Sequence, residues 1–72
     1  MMSASSTIKR IRQEAMLNIT EFASEIGVSR QAIHSYETGK TKPIYPIIRK
    51  IKKYADEHNI EVKVQEFFDD ED

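Results

Sequence analysis

The 72 residues contain no cysteine. That excludes a disulfide framework and a thiolate metal site, and it suits a protein of the reducing cytoplasm. No apolar run approaches the roughly 18 residues of a membrane span, so no membrane association is expected. The opening Met-Met-Ser-Ala-Ser-Ser lacks the apolar stretch of a secretory signal. Tryptophan is absent, and glycine and proline number two each, so no glycine-rich loop can cradle a phosphate. The chain has two histidines, and neither has metal-ligand companions at suitable spacing. No clustered pair of acids stands out, so neither an enzyme nor a cofactor is expected.

Net charge is also close to nil, at −1, but it is unevenly spread. Residues 1–55 hold ten Lys and Arg against four Asp and Glu, while residues 56–72 hold Lys63 and eight acids. The asymmetry predicts a basic working surface and, at 69–72, an acidic tail of Asp69, Asp70, Glu71 and Asp72. The length allows one small domain, whose core must be economical.

Residues 19–38, ITEFASEIGVSRQAIHSYET, are the most informative stretch. They read as two short helices joined by a tight turn. Ala23 is small where two crossing backbones approach, and Gly27 tolerates the positive φ of the corner. Phe22, Ile26, Val28, Ile33 and Tyr36 close the inside of the angle. Ser29, Arg30, Gln31, His34 and Ser35 remain on the outer face, and side chains of those types can reach base edges.

The rest of the chain is predicted to be helical around this pair. Residues 1–5 read as disordered, and residues 6–68 as the folded domain. A first helix is predicted from Ser6 or Thr7 to about Met16, capped by Ser5 or Ser6, with Ile8, Ile11 and Ala15 on one stripe. Asn18 and Glu21 form a capping-box pair for the helix at about 19–26. Ser29 caps the next, at about 30–38, and Pro43 prevents its continuation. A fourth helix starts near Pro46. Its apolar face carries Ile47, Ile48, Ile51, Tyr54 and Ala55, and its other face Arg49, Lys50, Lys52 and Lys53. In IEVKVQEFF, Ile60, Val62 and Val64 alternate like a strand, whereas Val64, Phe67 and Phe68 fit a helical turn. A turn followed by a short fifth helix is the favoured reading.

The run from Ile8 to Pro43 resembles the phage repressor/Cro type of helix-turn-helix, the XRE family. The likeness is carried by Leu17, Phe22-Ala23, Gly27-Val28-Ser29, Ile33, Tyr36-Glu37, Gly39-Lys40 and Pro43, and it covers residues 8–55. It implies an all-α, lambda-repressor-like domain of four to five helices, with the third as recognition helix. Ser29, Arg30, Gln31 and Ser35 would face the major groove, joined by His34. Asn18, Lys40, Thr41 and Lys42 would meet phosphates through side chains or backbone N–H groups, setting register. Arg12 and Glu37 match a structural ion pair of the family. One departure concerns Ile19, where the family commonly has a Gln that contacts a phosphate and braces the recognition helix.

Two functions follow as expectations. The first is a sequence-specific DNA-binding regulator of a phage or mobile-element switch, acting on a double-stranded operator. It would act as a homodimer through Ile60, Val62, Val64, Phe67 and Phe68. The second is an antirepressor that covers the DNA-reading domain of a partner repressor protein. Ile19, Ala32 and His34 would then form an apolar partner surface.

Overall fold

Residues 3–68 are described by a computed structural model of the chain, and the acidic run 69–72 lies outside them. Four α-helices follow one another: α1 (Ala4–Glu14), α2 (Ile19–Ile26), α3 (Arg30–Glu37) and α4 (Tyr45–Glu57). A short 3₁₀ turn, Val64–Phe67, closes the described chain, and no strand occurs among the described residues. None of these helices is long and apolar enough to cross a membrane.

Helices α1, α2 and α3 start where polar side chains satisfy their first N–H groups, whereas α4 follows Ile44 with no side-chain cap and carries Pro46 in its first turn. Asn18 Oδ1 accepts from Glu21 N at 2.8 Å while Glu21 Oε1 accepts from Asn18 N at 2.9 Å. That reciprocal box is the one legible in the sequence. Ser29 Oγ accepts from Ala32 N at 3.0 Å and opens α3. At α1 the outcome differs from expectation. The cap is Ser3, not Ser5 or Ser6, and the helix begins at Ala4. Ser3 to Ser5 are therefore ordered parts of the first turn, held by a box between Ser3 and Ser6. Starting there buries Ala4 and Thr7, and the Thr7 hydroxyl donates to Glu66 O at 3.3 Å.

Each helix ends the same way. The only positive-φ residues described are Met16, Gly27, Gly39 and Asn59, one just past each helix. After α1, Met16 N donates to Gln13 O and Leu17 N to Arg12 O, at 3.0 and 3.2 Å. After α3, Gly39 N donates to Tyr36 O at 3.2 Å and Lys40 N to Ser35 O at 2.9 Å. These paired bonds satisfy carbonyls that the helix itself leaves open, and a left-handed residue makes them reachable.

One core joins all the elements. Ile8 and Ile11 of α1, Phe22 and Ile26 of α2, Ile33 of α3, and Ile48 and Ile51 of α4 meet in it. The helix pair α2–α3 packs most closely, with α1 against α3 and α4 against α2. The C-terminal segment returns across this core. Ile60, Val62 and Phe67 are buried in it. That corrects the expected dimer surface: three of its five residues are filled by the chain's own packing, and only Val64 and Phe68 stay exposed. Arg10 fastens the segment by donating to Glu61 O at 3.1 Å and Glu66 Oε1 at 3.2 Å.

Candidate nucleic-acid interface

Helix α3 is held from behind. Ile33 is fully buried, and Tyr36 packs half-buried against the core. With that side of α3 fixed inward, the 100° step of a helix turns Arg30, Gln31 and His34 outward, and all three are exposed. Together with Ser29 they line one shallow hollow on the outer side of α3.

A second hollow adjoins it. Asn18, Ile19 and Thr20 at the start of α2 line it with Arg12 and Arg30. Arg30 belongs to both hollows, so it links the α2 N-terminus to the outer row of α3. Its Nε donates to Thr20 Oγ1 at 3.1 Å. The guanidinium is thereby anchored on one side, and its two terminal nitrogens have no protein partner among the described residues. They form the fork that pairs with two acceptors on one planar edge.

Thr20 is a residue of this surface that the sequence did not point to. The resemblance set the bracing role at residue 19, where this chain has Ile. The structure puts the brace one residue later. Ile19 itself packs half-buried against the core, and the part left open lines the second hollow. Ala32 is also half-buried, and His34 lines the other hollow. Of the three residues expected to meet a protein partner, Ile19 and His34 thus line separate hollows and Ala32 lines neither.

The remaining predicted residues divide by what their groups already do. Ser29 Oγ accepts the α3 cap bond, which leaves its hydroxyl proton and one lone pair for another partner. Ser35 is half-buried and lines neither hollow. Asn18 uses Oδ1 for the cap, which leaves its amide N–H₂ pointing from the α2 N-terminus, where the helix dipole favours an anion. Lys40, Thr41 and Lys42 are exposed in the loop after α3. The N–H groups of Lys40 and Thr41 both donate to Ser35 O, at 2.9 and 3.4 Å, which leaves the side chains of those two residues for other partners.

Arg12 and Glu37 form the structural ion pair beneath this surface. Arg12 Nε donates to Glu37 Oε2 at 2.7 Å, and Nη2 to Oε1 at 3.0 Å. The hydrogen bond to Glu37 raises the Arg12 pKa above its ordinary value against the opposing effect of burial. Arg10 is raised chiefly by its bond to Glu14, helped by Glu66. Neither arginine adds to the outward basic surface, because each already faces carboxylates. No group of three or more His, Asp or Glu among the described residues could hold a metal ion.

No curated protein and no solved structure matches the chain. Residues 8–60 match the helix-turn-helix family model HTH_3. That match covers most of the chain, so this protein belongs to the helix-turn-helix family of XRE-type DNA-binding regulators.

Proposed function

We propose that the chain is a sequence-specific regulator of the Cro or repressor type, with α3 lying in the major groove. The observation that carries this reading is the position of Arg30, anchored by Thr20 and forked outward beside Gln31 and His34. An arginine fork matches guanine O6 and N7, and a glutamine amide matches adenine N6 and N7. Asn18, Lys40, Thr41 and Lys42 flank the row at the two ends where a duplex backbone passes. The setting in a phage or mobile-element switch rests on the likeness of residues 8–55 to that type of helix-turn-helix.

Duplex selection from a random pool tests the reading. A defined site is expected, and affinity for it should fall steeply as salt rises, through release of condensed counterions. The antirepressor alternative draws on the overall −1 charge, on Ile19 in place of Gln and on the acidic run 69–72, and Ile19 is half-buried against the core. If no duplex is retained while a repressor's DNA-reading domain forms a stable complex with the chain, the proposal fails.

A further inference from the structure

A third hollow lies on the outer side of α4 and shares no lining residue with the two beside α3. Its apolar wall is Tyr45, Pro46 and Val64. Tyr45 is 58% exposed and Val64 45%, two of the few large apolar side chains left in water. Around them stand Arg49, Lys50 and Lys53. Lys52 is neutralised by Asp56 at 2.8 Å, but those three cations have no ion pair among the described residues. The Arg49 guanidinium lies 6.0 Å from the Tyr45 ring centroid, so charge and aromatic face are already side by side.

We propose that this groove docks an acidic segment of a partner protein that carries a bulky apolar anchor. The anchor fills the space between Tyr45, Pro46 and Val64, and its carboxylates pair with Arg49, Lys50 and Lys53. Charge complementarity selects this occupant. A second copy of the groove would set like charges against each other. A DNA backbone would meet the cations but leave the apolar wall wet. The proposal does not depend on what α3 reads.

The test uses the full chain and a fluorescein-labelled peptide of Asp and Glu with two Phe, followed by anisotropy. Saturable binding is expected. Tyr45→Ala, and Arg49→Gln combined with Lys53→Gln, should each weaken it about tenfold or more, as should replacing both Phe of the peptide by Ser. The variants should keep their helical circular dichroism, since these side chains lie at the surface. Affinity for a selected duplex should stay within about twofold of the parent. Four results would overturn the proposal. The peptide does not saturate the chain. The Ser peptide binds as well as the Phe peptide, which means charge attraction alone. The groove variants lose duplex affinity as much as peptide affinity, which assigns the groove to DNA. Neutralising Asp69, Asp70, Glu71 and Asp72 to Asn or Gln strengthens peptide binding about tenfold, which means that the chain's own acids occupy the groove. A chain that binds no duplex at all would still report on the groove through the peptide.

Discussion

Arg12 on α1 and Glu37 at the end of α3 meet through two parallel hydrogen bonds, with side chains only 15% and 6% exposed. Arg12 Nη1 also donates to Leu17 O at 3.0 Å, so one guanidinium ties α1, the α1–α2 connection and α3 together. Removing one partner leaves the other's charge, largely screened from water, without its counter-ion. Arg12→Ala and Glu37→Gln should each cost about 3–5 kcal/mol in urea denaturation. Replacing both by apolar residues, Arg12→Met with Glu37→Leu, should recover much of that loss. It should not recover all of it, because the Leu17 carbonyl then lacks its donor. Equal losses for the single and double variants would show that the pair is not what holds these helices.

The Arg30–Thr20 bond sets a second expectation. Under the proposed base contact, Arg30→Ala should lose about 1–3 kcal/mol, concentrated at one base pair of the selected site. Thr20→Val keeps the shape of the side chain and removes the oxygen that accepts from Nε. It should weaken discrimination at that same base pair by less, and add nothing when Arg30 is already Ala. A double-mutant cycle over duplexes altered one position at a time measures this. Independent effects at different base pairs would separate Thr20 from Arg30.

The helix-turn-helix was legible because its signals are local and agree with one another. Asn18 and Glu21 mark a start, Gly27 marks a stop, and the apolar side chains fall at helical spacing. The start of α1 was harder to read. Ser3, Ser5, Ser6 and Thr7 are all hydroxyl residues that could cap, and only packing against the returning C-terminal segment selects Ser3. Thr20 was invisible because its partner lies ten residues away on another helix. In the last segment both periods had a physical basis. Ile60 and Val62 are buried at a spacing of two in the irregular stretch after α4, and Phe67 is buried on the 3₁₀ turn that follows. A sequence pattern does not say that such a run crosses its own core instead of a neighbour's.

Met16 and Gly27 share a backbone conformation but not a side chain, with φ of 62° and 88°. Left-handed backbone costs an L-residue roughly 1–2 kcal/mol and glycine little. Met16 is 89% exposed, so its side chain returns little packing. Met16→Gly should therefore raise thermal stability by about 0.5–1 kcal/mol, after glycine's extra chain entropy is set against the relieved strain. Gly27→Ala should lower it by about 1–2 kcal/mol. The nearest atom to an added Cβ at Gly27 is the tip of Lys50 at 3.9 Å, so that loss would be conformational and not steric. Calorimetry of both variants should show opposite signs.

Phe67 and Phe68 are adjacent in sequence, yet one is 3% and the other 56% exposed. Phe67→Ala opens a hole in the core and should cost about 3–5 kcal/mol. Phe68→Ala should stay within about 0.5 kcal/mol. Chemical denaturation of the two variants tests the assignment of the C-terminal segment to its own core. A stable Phe67→Ala protein with altered association state would instead return that segment to an interface.

Tyr54 gives the alkaline limb of stability a specific cause. Its ring is 8% exposed and meets Phe22 edge-on at 5.7 Å, while His58 stacks on it at 4.0 Å. Burial raises the pKa of its phenol, and the charge of Glu25 raises it further. The folded chain thus binds the phenolic proton more tightly than the unfolded chain does. The resulting stabilisation is complete below the unfolded value of about 10 and is lost as pH rises through the folded value. Tyr54→Phe keeps the ring contacts and removes the proton. Its urea midpoint should decline less than the parent's as pH rises from 9 to beyond 11, with the two matching more closely near neutrality. Every other ionisable group is common to the two proteins, so the difference isolates this one phenol. Parallel alkaline limbs would show that Tyr54 ionises without cost to the fold.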